Sequence, residues 1–210
     1  MPPLPPTVFI VDDDASFLAS VARLLRASGF AVRSFPSAAE FLAQLPREAA
    51  GCAVVDLQMP GMNGLELQEA LAKTPNPLPL VFLTGHGEVP DAVSAVRRGA
   101  EDFLSKRAPR EELLAAVKRA LDRDARERAE RARVRALRAR FETLTERDRE
   151  VLQHVLRGQL NKQIAADLGI DERSVKRHRT SIMTRLRVQS VTELTRLVHE
   201  AGFFAVISDQ

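Results

Sequence analysis

The chain contains no Trp, no Tyr and a single cysteine, Cys52. One thiol cannot build an intrachain disulfide framework, so a reducing compartment is expected. No apolar run approaches the roughly 20 residues that a membrane-spanning helix needs. The opening Met-Pro-Pro-Leu-Pro-Pro has neither a basic n-region nor an apolar h-region, so it does not read as a signal peptide. A soluble, cytoplasmic protein is the expectation. Of the 210 residues, 45% are hydrophobic, which is enough for one large or two small globular domains. The charge is uneven. Residues 1–121 hold 12 Lys+Arg against 14 Asp+Glu, whereas residues 122–210 hold 19 against 14. A mildly acidic first part and a basic second part point to a nucleic-acid partner for the latter.

The most informative stretch is Cys52-Ala-Val-Val-Asp56-Leu-Gln-Met-Pro-Gly61, a short apolar run that ends in a carboxylate and is then broken by Pro60, Gly61 and Gly64. Buried parallel strands have this form. Similar strands are expected at Thr7–Val11, Phe30–Phe35, Leu80–Leu83 and Phe103–Leu104. Between them lie helical patterns. Phe17, Leu18, Val21, Leu24 and Leu25 repeat at helical spacing, and Gly29 stops that helix. Ser37 with Glu40 predicts a capping box, and Leu65–Leu71 is helical. Pro90 opens a helix through Ala92–Val96, and Pro109 opens a last one through Leu113, Leu114, Val117 and Leu121.

Strict alternation of strand and helix gives an α/β doubly wound, five-stranded parallel sheet with helices on both faces. Right-handed crossovers bring the ends of the first, third, fourth and fifth strands to one rim. Asp12, Asp13, Asp56, Thr84 and Lys106 lie there. Three converging carboxylates repel unless a cation sits among them, and hard oxygen donors without a Cys or His cluster favour Mg²⁺. With Lys106 and a hydroxyl added, the rim is suited to a phosphoryl group.

The residues Val11-Asp12-Asp13, Asp56-Leu-Gln-Met-Pro-Gly-Met-Asn-Gly, Thr84-Gly and Lys106 resemble the receiver domain of two-component response regulators. The resemblance covers roughly residues 7–121, and Thr84-Gly-His-Gly-Glu-Val-Pro is similar to the FixJ branch. It implies a CheY-like strand order 2-1-3-4-5 and phosphorylation of Asp56 by a sensor histidine kinase. It also implies Mg²⁺ held by Asp13, Asp56 and the Gln58 carbonyl, with Asp12 assisting through water. Lys106 and Thr84 would contact the phosphate, and Phe103 would be the switch aromatic. His86 reads as a loop residue. Arg107 departs from the family, which usually has proline after the lysine in a cis peptide. A non-proline cis bond costs about 2.5–4 kcal/mol, so a rearranged loop that moves Lys106 away from the phosphate is one expectation. The matching alternative is a DNA-binding regulator whose activation depends little on phosphorylation.

Residues 122–140 lack Gly and Pro and are rich in helix formers, so they are expected to be a helical linker between a receiver at 1–121 and a domain at 141–210. The alanine stripe along it reads as a solvated spacer, a dimer seam being the alternative. Beyond it, Leu144, Val151, Leu152 and Val155 share a helical face after a Thr145 N-cap. Asn161 is expected to cap a second helix, Asp171 a third, and Ser190 with Glu193 a fourth. Gly169-Ile170 between short helices predicts a helix-turn-helix. Val175, His178, Ile182 and Leu186 should face inward, leaving Arg173, Lys176, Arg177 and Thr180 for DNA.

The segments Leu144-Thr-Glu-Arg-Asp-Arg-Glu-Val-Leu, Asn161-Lys-Gln-Ile-Ala and Ser174-Val-Lys-Arg-His-Arg resemble the LuxR/FixJ/NarL DNA-binding domain over about residues 141–202. The family usually has serine where Asp171 stands. This resemblance implies DNA contacts by Lys162, Arg173, Ser174, Lys176, Arg177, Arg179 and Thr180, and homodimerisation on phosphorylation. The whole then reads as a transcription regulator, not an enzyme. A haloacid-dehalogenase-like phosphatase is the rival, because Asp12 and Asp14 have that family's spacing. The rival leaves the helix-turn-helix unexplained.

Overall fold

A computed structural model describes residues 5–85 and 97–202, in two compact units divided between Arg128 and Ala129. The expected helix at Pro90–Val96 and the loop residue His86 lie outside the described residues. Numbering the described elements in chain order, the first unit contains β1 (Thr7–Val11), α1 (Ala15–Ala27), β2 (Ala31–Phe35), α2 (Ala38–Gln44), β3 (Gly51–Asp56), α3 (Gly64–Ala72), β4 (Leu80–Thr84) and β5 (Asp102–Ser105). The helix α4 (Arg110–Glu142) begins in it.

All strand pairs are parallel, in the order β2-β1-β3-β4-β5. Side chains alternate across a strand, so each central strand feeds two cores. Val8, Ile10, Cys52, Val54, Val81 and Leu83 pack with Val21 and Leu25 of α1 and Leu113 and Val117 of α4. On the other face, Phe9, Val11, Val55 and Phe82 pack with Phe41 of α2 and Leu67 and Leu71 of α3. Because both faces are covered, β3 is apolar without interruption until its last residue, the carboxylate Asp56.

Two glycines allow backbones to approach where a side chain would not fit. At Gly51 (φ +137°) a Cβ would lie 1.9 Å from the Thr7 carbonyl oxygen, and its N–H donates to Asp124 Oδ2 at 2.8 Å. Asp124 is buried on α4 and also accepts Arg128 Nε at 2.7 Å. The helix is thereby tied to the start of β3, at the end opposite Asp56. At Gly64 a Cβ would lie 2.6 Å from the Asp56 carbonyl oxygen, so α3 starts directly against the strand end that carries Asp56.

The second unit is helical: the end of α4, then α5 (Glu146–Leu156), α6 (Asn161–Leu168), α7 (Glu172–Leu186) and α8 (Val191–Glu200). Leu137, Phe141, Leu144, Val151, Leu152, Ile164, Val175, Ile182, Leu186, Leu194 and Val198 form its core. Within the stretch read as a linker, Asp124 is thus buried in the first unit and Leu137 in the second. Thr145 caps α5 in a reciprocal capping box with Asp148, and Asp171 caps α7 through the Ser174 N–H. Asn161 is not a cap as expected. Leu160 holds that position, the Gln163 side chain accepts the Leu160 N–H, and Asn161 is the first helical residue. Ser190 accepts the Glu193 N–H, but the Glu193 carboxylate turns back to the Gln189 N–H, one residue earlier than a capping box requires.

Asp148 connects α5 to α7. It is buried, and its Oδ1 lies 2.8 Å from His178 Nδ1. His178 therefore does more than pack: it fixes the rotation of α7 about its axis. Burial raises the Asp148 pKa, but the hydrogen bonds from His178 and Thr145 outweigh it and leave the carboxyl below its ordinary value of 3.8. A depressed native pKa contributes stability that is present above the unfolded value and is lost as pH falls through the native one. Asp148→Ala should lower the unfolding free energy at neutral pH by about 1–3 kcal/mol, and acidification below pH 3.8 should then cost the variant less than the parent. Urea denaturation followed by circular dichroism across that pH range measures both effects.

Candidate functional site

The β1 and β3 ends place two buried carboxylates side by side. Asp12 follows β1 and Asp56 closes β3, at 2% and 6% exposure. Asp13 is exposed beside them. Asp12, Asp13 and Asp56 can each offer an oxygen so that the three lie within 4.8 Å of one another, which is a donor set able to hold a hard cation. Gln58 projects an exposed side chain, and its N–H donates to Asp56 Oδ1 at 3.3 Å. The Asp14 N–H donates to Asp12 Oδ1 at 2.9 Å.

Asp14 itself is spent elsewhere: its carboxylate accepts the Ser16 and Phe17 N–H groups and caps α1. The two-aspartate reading of a dehalogenase-like phosphatase needs Asp14 directed to the reacting group, and here it serves the helix.

Lys106 lies just beyond β5, and its Nζ reaches Asp12 Oδ2 at 2.7 Å and Asp56 Oδ2 at 2.8 Å. Burial pulls the lysine pKa down, but the hydrogen bonds and charges of the two aspartates outweigh it and hold the ammonium above its ordinary value. For Asp12 burial is the larger effect and raises the carboxyl, against the lowering by Lys106. Thr84 ends β4 with its Oγ1 buried and without a hydrogen-bond partner among the described residues. Phe103 on β5 is half-buried against Phe82, with ring centroids 6.2 Å apart.

The Lys106–Arg107 peptide is trans, since there is no cis peptide among the described residues. The expectation that this would move the lysine away is overturned, because Lys106 meets Asp56 directly. The local reason is a turn that proline could not make. The Arg107 N–H donates to Ser105 Oγ at 3.1 Å, the Ala108 N–H to Ser105 O at 2.9 Å, and the Lys106 N–H to Thr84 O at 2.8 Å.

In the second unit Gly169 (φ +64°) makes the left-handed turn between α6 and α7, and the Ile170 N–H closes it on Ala165 O. Arg147 of α5 donates to Leu168 O and so supports the same turn, a contact that the sequence pattern did not announce. Val175, Ile182 and Leu186 are buried, while Arg173, Lys176, Arg177 and Thr180 are exposed on α7, and Lys162 is exposed on α6.

Two residues of the expected DNA-contacting set are already engaged. Ser174 Oγ donates to Asp171 Oδ2 at 2.8 Å, and Arg179 Nη1 donates to Asn161 Oδ1 at 3.2 Å, linking α7 to the start of α6. Thr180 folds its hydroxyl back onto Lys176 O.

Comparison with known proteins agrees with both halves of this geometry. Residues 8–118 match the response regulator receiver domain, and residues 142–198 match the bacterial regulatory proteins of the luxR family. The response regulator protein TodT of Pseudomonas putida is 41% identical over 190 residues, covering 90% of this chain and 84% of TodT. The transcriptional regulatory protein FixJ of Rhizobium meliloti is 40% identical over 197 residues, covering 94% of this chain and 97% of FixJ. A solved structure of the response regulator StyR is similar with a TM-score of 0.81 at 44% identity, covering 93% of this chain and 99% of StyR. The chain therefore belongs to the two-component response regulators that join a receiver domain to a LuxR-type helix-turn-helix DNA-binding domain.

Proposed function

We propose that Asp56 accepts a phosphoryl group from the phosphohistidine of a sensor kinase and that the modified protein pairs with a second copy to regulate transcription from two DNA half-sites. The observation that carries the first part is the rim itself. A nearly buried carboxylate closes its strand, a lysine ammonium lies 2.8 Å away, and a buried threonine hydroxyl beside it has no partner among the described residues.

In the transfer an Asp56 oxygen attacks phosphorus. The P–N bond breaks as the P–O bond forms, and its electron pair leaves with the imidazole, which takes a proton. Lys106 then faces new phosphoryl oxygens as well as Asp12, and the Thr84 hydroxyl gains an acceptor. Phe103, packed on Phe82 next to that strand end, is placed to follow Thr84. The all-oxygen cluster fits Mg²⁺. Asp13, Asp56 and the Gln58 carbonyl would hold it, with Asp12 assisting through water, and the bound ion supplies positive charge against the phosphoryl oxygens.

For DNA, α7 is the recognition helix, with Arg173, Lys176, Arg177 and Thr180 toward bases and phosphates and Lys162 toward the backbone. Arg179 and Ser174 hold the reading surface in place through Asn161 and Asp171. A DNA partner supports a cytoplasmic location. Among the described residues no helix is long and apolar enough to cross a membrane.

Asp56→Asn should abolish labelling by acetyl phosphate, and Asp13→Ala should abolish it through loss of the ion. Mass spectrometry of the intact chain reads both, and a labelled Asp56→Asn protein would sink the assignment. On DNA selected from genomic fragments, Lys176→Ala or Arg177→Ala should cost roughly 1–3 kcal/mol and relax sequence preference. Lys162→Ala should weaken binding evenly across sequences and reduce its salt dependence. Affinities unchanged in the Lys176→Ala, Arg177→Ala double variant would refute the docking.

A further inference from the structure

An ammonium group has three N–H donors. In Lys106 two of them are accounted for by Asp12 and Asp56. A third neighbour is an aromatic ring: Lys106 Nζ lies over the Phe17 ring, 4.5 Å from its centroid, within the range in which a ring face attracts a cation. Both partners are rooted in fixed backbone. Phe17 stands in the first turn of α1, and its N–H donates to the capping carboxylate of Asp14 at 3.1 Å. The Lys106 N–H donates to the last residue of β4. Between these roots runs the four-carbon lysine stem, which is otherwise free to sample many rotamers.

We propose that Phe17 is a positioning residue of the phosphoryl-accepting rim, its ring closing the third side of the Lys106 ammonium and keeping it beside Asp56. The inference rests on the reading of Asp56 as acceptor. The ring offers the ammonium a face in place of water, so the charge stays over the two carboxylates and within reach of the oxygens that phosphoryl transfer brings to Asp56. An aliphatic side chain at position 17 would still fill space against the apolar cluster that Phe17 joins. It has no quadrupole, and would leave the third donor to solvent.

The test compares Phe17→Leu and Phe17→Tyr in the full-length protein. Two readouts are taken: the rate of labelling by acetyl phosphate with Mg²⁺ present, and the proton resonance of the Lys106 ε-methylene, which the ring current shifts upfield. Phe17→Leu should slow labelling by roughly three- to tenfold, the factor expected for loss of one partly buried cation–π contact, and should return the Lys106 resonance toward its ordinary position. Phe17→Tyr, which keeps the ring face, should stay near the parent in both. Labelling by Phe17→Leu at the parental rate would overturn the proposal. So would equal slowing in the two variants, or slowing without movement of the Lys106 resonance. If neither the parent nor any variant is labelled, the acceptor reading itself has failed, and the resonance still separates that failure from failure of the ring contact.

Discussion

The first unit depends on one electrostatic constraint. A doubly wound parallel sheet delivers the ends of β1 and β3 to the same rim, and in this chain an aspartate stands at each, Asp12 just after β1 and Asp56 as the last residue of β3. Two carboxylates so close and so little solvated are tolerable only with positive charge between them. The Lys106 ammonium supplies it from just beyond the edge strand β5, bonded to both. Under the proposed transfer to Asp56, the same constraint would let the rim respond to phosphorylation. The lysine is held by charges that the proposed modification would change, and a modification shifts an equilibrium only through groups whose interactions differ between the two states.

The second unit solves a different problem, namely holding one face of a basic helix outward. Apolar contacts through Val175, Ile182 and Leu186 orient α7 coarsely. The bond between buried Asp148 and half-buried His178, the Arg147 bond to Leu168 O and the Arg179 bond to Asn161 orient it more finely. Directional bonds suit this task because packed apolar side chains tolerate small rotations that a bidentate contact to a base edge does not. The cost is that Ser174 and Arg179 are partly committed within the protein before DNA arrives.

Arg107 shows how a departure from a family pattern can leave the rim geometry in place. With an N–H at this position the chain turns as Arg107 donates to Ser105 Oγ, and the preceding lysine is anchored through its own N–H to β4. The lysine reaches Asp56 across a trans peptide, so the altered residue gives no support to a regulator indifferent to phosphorylation.

The sequence by itself determined the alternation of strands and helices, the parallel sheet, the five rim residues and the helix-turn-helix. Each of these follows from local patterns: continuous apolar runs for strands covered on both faces, helical spacing for amphipathic helices, and Gly169 for a left-handed turn. Helix starts were legible where a short polar side chain could close on the N–H two or three residues ahead, as at Thr145 and Asp171. They failed at Asn161, whose side chain is claimed by Arg179 from another helix. Only the tertiary structure decided that Lys106 bridges Asp12 and Asp56 despite Arg107, that Asp14 caps a helix, that Asp124 ties α4 to Gly51, and that Phe17 faces the lysine. The physical reason is common to all four. These contacts join residues whose approach is set by the packing of whole elements, and a side chain's preference among nearby partners is settled only when the burial and geometry of every competitor are in place.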